Sequence, residues 1–85
     1  MRLVFTSQAW DDYKHWQKHD RSMLKRVNRL LDETMRDPFG GIGKPEQLRY
    51  ALAGAWSRRI NDEHRLVYLV DSEDLVVLQA RYHYS

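Results

Sequence analysis

The chain has 85 residues and no cysteine, a size that allows one domain with a small core and a composition that excludes disulfide bonds, thiolate metal sites and cysteine nucleophiles. Its net charge of +2 is low for a protein that binds nucleic acid unaided. No apolar run approaches the ~20 residues that span a bilayer, and the start of the chain lacks a signal-peptide pattern, so we expect a cytoplasmic protein.

Short local signals mark the first strand and the first helix. Residues 3–5 are apolar and β-prone, and Thr6 or Ser7 can cap a helix that begins directly after them. The aromatic side chains that recur at helical spacing on one face of this helix are predicted to belong to the core: Trp10, Tyr13 and Trp16.

Asp20 interrupts the first helical pattern and can cap a second helix. In residues 23–35 the apolar side chains follow the i, i+3, i+4, i+7 template of an amphipathic helix. Pro38 ends this helix, because the residue before a proline is pushed out of the α region. The loop over residues 39–45 is rich in glycine, but it lacks the Gly-Lys-Ser/Thr ending of a phosphate-binding P-loop.

The second half of the chain switches to strand-like segments separated by turns. Four segments fit this description: residues 47–52, 56–60, 65–70 and 75–80. The segment 65–70 is nearly all apolar, as expected of a central strand. The order β-α-α-β-β-β-β predicts a single α+β domain over residues 1–85, with an antiparallel sheet and two N-terminal helices packed on one of its faces.

Glu46 is the only acidic residue between Lys44 and Arg59. Positive charges nearby favour its ionised form at neutral pH, which suits a general base. The simpler interpretation is a surface glutamate beside cations, and Glu46 on its own does not decide between the two.

Three arginines lie in or next to the predicted strands. Arg58 and Arg59 are neighbours in one strand, so their side chains point to opposite faces; at most one of them can face a given site, and we expect the other to be solvated. Arg65 opens the central strand, where a charge tends to mark a rim or a pocket.

The last residues, 81–85, carry a basic and aromatic cluster. His83 is the side chain best able to exchange a proton near pH 7. Strict alternation would place Arg81 and His83 on one face of the last strand, near Arg65 if the two strands pair, and Tyr82 on the opposite face, in the core. A polar strand end with a solvated histidine is the alternative.

A carboxylate base, arginines and a histidine acid are together the groups that metal-independent RNA cleavage requires. The 2′-hydroxyl loses a proton, the crowded phosphate gains negative charge, and the 5′-oxygen gains a proton. The histidines show no HExxH or Cys/His spacing. His15 and His19 lie at i, i+4, a spacing that could bind zinc, but two exposed polar side chains are the commoner explanation of such a pair. We therefore expect no metal and no cofactor.

Several strings of the sequence resemble one family along essentially the full chain and with the same spacing. They are Trp-Asp-Asp-Tyr (10–13), Gly-Lys-Pro-Glu (43–46), Trp-Ser-Arg-Arg-Ile (56–60), Glu-His-Arg-Leu-Val-Tyr (63–68) and Arg-Tyr-His-Tyr (81–84). The family is that of the YoeB-type toxins in the RelE/ParE toxin superfamily. The resemblance implies one RelE-like toxin domain, the fold of microbial ribonucleases, over residues 1–85.

The resemblance also implies an activity. Such toxins belong to type II toxin–antitoxin systems, enter the ribosomal A site and cut the mRNA there, which inhibits translation. By position in the family motifs, Glu46 would be the general base, His83 the general acid, Arg65 the group that stabilises the transition state, and Tyr84 a group that positions the substrate.

Four further cations are expected to contact RNA: Lys44, Arg49, Arg59 and Arg81. Arg49 stands where the family usually has lysine, which keeps the charge but changes the shape of the donor. Ser85 follows a tyrosine at which other members of the family end, so the resemblance assigns it no role.

The implied partners are the ribosome with its mRNA and a cognate antitoxin of the YefM or Phd kind, whose C-terminal segment would fold onto the toxin. Homodimers occur in the family, and no membrane is involved. The ribosome would supply much of the binding surface, which would account for the low net charge. Two alternatives stay open: a ribonuclease that needs no ribosome, and a non-catalytic module that blocks translation by occupancy.

Overall fold

The computed structural model describes residues 1–49 and 54–82, and there the elements follow the predicted order. They are β1 (Arg2–Phe5), α1 (Ser7–His19), α2 (Arg21–Arg36), β2 (Glu46–Gln47), β3 (Ala55–Arg59), β4 (Arg65–Asp71) and β5 (Asp74–Gln79). Of the predicted strand 47–52, only its first residue is in β2; residues 48 and 49 are not in a strand, and residues 50–53 lie outside the described part. No helix in the described ranges is long and apolar enough to cross a membrane.

The five strands form one sheet in the order β1-β5-β4-β3-β2, so β4 is the central strand, as predicted. Neighbours from β2 to β5 are antiparallel. The first strand pairs with β5 in parallel, which makes the sheet mixed. Nearly the whole chain separates these two strands, so no local pattern could reveal their pairing. With two helices packed on one face of this sheet, the predicted α+β class is confirmed.

Side chains cap the first turn of both helices. Thr6 Oγ1 accepts a hydrogen bond from Ala9 N at 3.1 Å, and Asp20 Oδ1 accepts one from Met23 N at 3.2 Å. Each bond satisfies a backbone N–H that has no partner within its helix. Of the two predicted caps of α1, the structure uses Thr6, and the predicted cap of α2 is confirmed.

The core lies between the helices and one face of the sheet. Its buried apolar side chains come from both layers: Ala9, Trp16, Val27, Leu30, Leu31, Ile60, Leu66, Tyr68, Leu75, Val77 and Ala80. Burial of this apolar surface is the main force that holds the helices on the sheet.

The aromatic stripe of α1 lies only partly in this core. Trp16 is buried and Tyr13 is half-buried, but Trp10 is 49% exposed, so the prediction of a core position is wrong for Trp10. Its ring stacks on Tyr13 with 5.9 Å between centroids and meets Phe5 edge-on. Trp10 packs beside β1, which lies at the edge of the sheet formed by the described strands.

Arg58 is fully buried, and this corrects the expectation that one arginine of the Arg58–Arg59 pair is solvated. The two side chains do point to opposite faces of β3, but the helix-side face is the interior. There Arg58 Nε donates to Tyr68 Oη at 3.1 Å, Nη1 donates to Ile42 O at 2.8 Å, and Nη2 donates to Asp37 O. Oxygens of the neighbouring loop thus replace the water that a guanidinium normally binds.

The loop over residues 37–43 is fixed to the sheet by these contacts. Tyr68 Oη donates to Pro38 O at 2.6 Å, and burial raises the pKa of the phenol, while the hydrogen bond from Arg58 acts in the opposite direction. Gly43 has φ of 85°, and a Cβ there would lie 2.9 Å from Leu30 Cδ2, so only glycine fits. The loop therefore delivers the chain to the start of β2 in a defined position.

We expect Arg58→Met to lower the free energy of unfolding by about 2–4 kcal/mol, because it leaves buried oxygens without donors. The matched control is Arg59→Met, at the half-exposed neighbour, where the change should stay below about 1 kcal/mol. Urea denaturation followed by tryptophan fluorescence measures both. Equal losses for the two variants would contradict the account of Arg58.

Candidate active site

Glu46 and Arg65 flank a buried serine on the face of the sheet opposite the helices. Glu46 in β2 is the direct partner of Ser57 in β3, so their side chains share a face at a Cβ separation of roughly 5 Å. Arg65 in β4 reaches the same residue from the other side, and its Nη1 donates to Ser57 Oγ at 3.4 Å. The fold thus brings together two of the residues that the sequence predicted to be catalytic.

Arg59 is the direct cross-strand partner of Arg65. Directly opposed like charges destabilise an antiparallel pair unless something of opposite charge lies between or beside them. Arg59 Nη1 lies 3.8 Å from Asp62 Oδ1, a carboxylate that is fully exposed. Two guanidiniums on one face, next to Glu46, form a suitable place for a phosphate group.

The other cations of this edge are open to solvent. Lys44 is exposed, with φ of 51°, and it directly follows the fixed loop. Arg49 is exposed and, with Glu46, Gln47 and Leu48, lines an open hollow of about 460 Å³. Lys44 and Arg49 therefore add exposed positive charge on either side of Glu46 along the chain.

A bulge in β5 changes the direction of the chain before its end. Val77 pairs with Tyr68, whereas Gln79 pairs with Val67, so Leu78 is the extra residue. The bulge moves Gln79 from the helix side to the face that carries Arg65. This shift is why strict alternation does not describe the residues after Leu78.

Two side chains of α1 hold the chain just beyond β5. Ala80 N donates to Asp12 Oδ2 at 3.0 Å, and Ala80 O accepts a hydrogen bond from Trp16 Nε1 at 2.7 Å. Asp12 itself is buried, with only 3% of its surface exposed, and also accepts a hydrogen bond from Gln8. The chain directly after β5 is thereby tied to the first helix at Ala80.

Tyr82 is 52% exposed, so the prediction that it belongs to the core is wrong. Its φ of 64° turns the chain, and its carbonyl oxygen accepts a hydrogen bond from Arg65 N at 3.1 Å. The guanidinium of Arg81 lies over its ring, 4.6 Å from the centroid. The residue just before His83 therefore contacts the backbone of Arg65.

The predicted acid His83, the predicted positioning residue Tyr84 and Ser85 lie outside the described residues. The Arg81 guanidinium lies over the Tyr82 ring, and, in addition to desolvation, its charge helps to lower the pKa of His15 in α1. The described part of the site therefore consists of Glu46, Arg59 and Arg65, with Lys44 and Arg49 at its edge.

Sequence reasoning missed Ser57 and His64. Ser57 is fully buried; strand alternation around Arg59 could have placed it on the same face, but nothing marked it as a partner of Arg65. His64 is buried, and its Nδ1 accepts a hydrogen bond from Tyr82 N at 2.7 Å. That contact depends on a long-range pairing which the sequence alone does not give.

The possible zinc pair on α1 has two ligands at most. The rings of His15 and His19 are 4.7 Å apart. Within residues 1–49 and 54–82, no group of three or more His, Cys, Asp or Glu side chains is placed to hold a metal ion.

Comparisons with known proteins agree on one family. Residues 5–84 match the family model described as the YoeB-like toxin of bacterial type II toxin–antitoxin systems. The Toxin YoeB of Streptomyces coelicolor is 57% identical over 84 residues, which cover 99% of this chain and 100% of that protein. The solved YoeB/ParE toxin from Agrobacterium tumefaciens superposes with a TM-score of 0.96 at 49% identity, covering 99% of this chain and 100% of that one.

The YoeB of Staphylococcus aureus is similar in two solved states. One is a YoeB dimer, with a TM-score of 0.91. The other is a heterotetrameric YoeB–YefM toxin–antitoxin complex, with a TM-score of 0.89. Both match at 46% identity and cover 99% of this chain and 98% of theirs.

Desolvation and the charge of Arg81 together predict a depressed pKa at His15. Partial desolvation lowers the pKa of His15, the charges of Arg81 and His19 lower it further, and Asp12 acts in the opposite direction. We expect NMR titration to give a pKa below the ordinary value of about 6.5, and Arg81→Gln to raise it.

The lowered pKa of His15 determines how the stability of the protein changes with pH. Because the folded-state pKa lies below the unfolded-state value, protonation of His15 favours the unfolded chain. The contribution of His15 to stability is therefore present above about pH 6.5 and is lost as the pH falls through the folded-state pKa. A His15 pKa that does not respond to Arg81→Gln would contradict the placement of Arg81.

Proposed function

Because the chain belongs to the family of YoeB-like toxins of bacterial type II toxin–antitoxin systems, we propose that it is an endoribonuclease that cleaves mRNA in the ribosomal A site and thereby inhibits translation. The observation that carries this proposal is the arrangement around Ser57. Glu46 is its cross-strand partner, Arg65 donates to its hydroxyl, and Arg59 lies directly opposite Arg65.

The proposed reaction is transesterification at one phosphodiester. Glu46 removes the proton of the 2′-hydroxyl, and the 2′-oxygen attacks phosphorus. The bond between phosphorus and the 5′-oxygen breaks, and His83 donates a proton to that leaving oxygen. The products are a 2′,3′-cyclic phosphate and a 5′-hydroxyl, and the protein's own acid and base balance the protons.

Arg65 and Arg59 would bind the non-bridging oxygens of that phosphate, whose negative charge grows in the transition state. A guanidinium suits this task because its donors form a rigid planar fork. The hydrogen bond from Arg65 Nη1 to Ser57 Oγ orients the fork before the RNA arrives. Such orientation matters because cations that are already in place need no rearrangement during the reaction.

The remaining residues would bind and align the RNA. Tyr84 would position the substrate beside His83, and the exposed Lys44 and Arg49 would contact phosphates along the strand. Arg81 would add supporting charge at the end of the chain. The low net charge of +2 supports dependence on the ribosome, since few phosphate contacts are available to hold free RNA at physiological salt.

Two partners besides the ribosome are proposed from the relatives. The Staphylococcus aureus YoeB forms a complex with YefM, and we infer an antitoxin of that kind for this chain. The same relative forms a dimer, which makes a homodimer the expected state of the free toxin. Action on mRNA during translation places the protein in the cytoplasm.

Replacement of the base tests the activity directly. We expect Glu46→Gln to slow cleavage of a translated message by about 100- to 10,000-fold, because the amide cannot accept the 2′-hydroxyl proton. Rates are measured by primer extension on mRNA recovered from a translating extract. The control Glu73→Gln removes an exposed carboxylate at the β4–β5 turn and should leave the rate unchanged.

The alternatives give different results in the same assay. Equal cleavage of naked RNA at physiological salt would indicate a ribonuclease that needs no ribosome. Translation arrest that survives Glu46→Ala combined with His83→Ala, with intact messages, would indicate a non-catalytic module. A Glu46→Gln variant that cuts at the wild-type rate would contradict the assignment of the base.

An antitoxin of the YefM kind should form a stable complex with the chain and abolish cleavage. The opposed arginines offer an anion-binding surface that an acidic or carboxylate-bearing segment can cover. Light scattering after size exclusion measures the complex, and the extract assay measures the inhibition. Undiminished cleavage in the presence of a stoichiometric antitoxin that binds the chain would contradict this part of the proposal.

A further inference from the structure

We propose that His64 is a positioning residue for this reaction: its Nδ1 atom holds the backbone conformation of Tyr82, the residue directly before the proposed acid His83. The inference rests on the proposed function, because it concerns the placement of the proposed acid. The His64 side chain lies in the interior, with 7% of the residue exposed, so it would act through Tyr82 and not on RNA.

Tyr82 has a backbone conformation that must be held. Its φ of 64° lies in the left-handed region, which is unfavourable for a residue with an aromatic side chain. Its N–H donates to His64 Nδ1 at 2.7 Å, and its carbonyl oxygen accepts a hydrogen bond from Arg65 N at 3.1 Å. His64, directly before β4, and Arg65, its first residue, thus hold the backbone N–H and the carbonyl oxygen of Tyr82.

The ring of His64 is itself fixed in position. Trp16 contacts it edge-to-face with 4.8 Å between centroids, and its Nε2 lies 3.5 Å from Glu63 Oε1. The backbone N–H of His64 donates to Asn61 Oδ1 at 2.7 Å. The contacts of the ring with Trp16 and Glu63, and the hydrogen bond of the backbone to Asn61, keep Nδ1 directed at Tyr82.

The contact also fixes the protonation state in which His64 can act. Because Nδ1 accepts a hydrogen bond from Tyr82, the neutral ring carries its proton on Nε2, the nitrogen that faces Glu63. An imidazolium would present a donor to the Tyr82 N–H and break the contact. Holding Tyr82 therefore requires the neutral Nε2–H tautomer.

His64 directly precedes Arg65, so one short segment serves both the proposed phosphate position and the contact to Tyr82. Arg65 contributes its side chain to the phosphate position and its backbone N–H to Tyr82, while His64 contributes the second contact to Tyr82. The same short segment therefore sets the place of the proposed transition-state arginine and the backbone conformation of Tyr82, the residue before His83. A shift of about 1 Å in a catalytic group can cost on the order of 100-fold in rate.

Three substitutions of His64 distinguish a role in positioning Tyr82 from a role in packing alone. His64→Asn keeps an acceptor, Oδ1, at the same bond distance from the backbone as Nδ1. His64→Gln moves that acceptor by one bond, and His64→Leu removes it. We expect kcat on programmed ribosomes to fall on the order of 100-fold for Leu and Gln, with little change in KM, and to be largely restored by Asn.

Two NMR measurements test the contact without relying on activity. In the wild-type protein, nitrogen NMR of the imidazole should show His64 Nδ1 unprotonated and Nε2 protonated. Hydrogen exchange of the Tyr82 amide should be slow in the wild type and in His64→Asn, and fast in His64→Gln. His19→Leu, at an exposed histidine of α1, is the control and should change neither readout.

The inference is overturned if His64→Gln or His64→Leu cleaves at the wild-type rate, or if His64→Asn is as impaired as His64→Gln. A wild-type His64 with its proton on Nδ1 would overturn it as well. Should His64→Leu not fold, the comparison of Asn with Gln still decides. Failure of the proposed function is distinguishable: the wild type would then leave translated messages intact, or Glu46→Gln would cut at the wild-type rate, while the exchange of the Tyr82 amide would still report on the His64 contact.

Discussion

The candidate site depends most on one constraint, the burial of the Arg58 guanidinium in the interior. Removing such a group from water costs several kcal/mol unless its donors are satisfied, and among the described residues no carboxylate forms an ion pair with it. The oxygens of Asp37, Ile42 and Tyr68 satisfy its donors instead. The charge therefore keeps the loop closed against the sheet, and the loop delivers Glu46 to the edge of β3.

The two faces of β3 have different surroundings. Arg58 points toward the helices and anchors the loop, while Ser57 and Arg59 point toward the open face, where they meet Glu46 and Arg65. The β5 bulge places Gln79 on the same face, and two side chains of α1 hold Ala80 directly after it. Residues far apart in sequence are thus brought together by pairings of the central strands.

Local patterns predicted much of this fold, because caps and apolar periodicity depend on neighbours in sequence. The two helices, the cap at Asp20 and the central position of β4 were predicted for that reason. The parallel partner of β1, the bulge at Leu78 and the burial of Arg58 were not, because each depends on contacts between distant segments. Glu46 and Arg65 were predicted by their charge and by the family resemblance, and their common neighbour Ser57 emerged only from strand register. The roles of Glu46, Arg65, His83 and Tyr84 stay predictions.

We propose that Glu46 and Arg65 serve the same phosphodiester, on either side of Ser57. The decisive measurement is a double-mutant cycle with Glu46→Gln and Arg65→Ala, read as single-turnover cleavage on ribosomes with a defined A-site codon. Groups that serve one transition state are not additive, so the double variant should lose much less than the product of the two single losses. If the single losses multiply fully, or if a single variant cuts at the wild-type rate, the two side chains do not serve one phosphodiester.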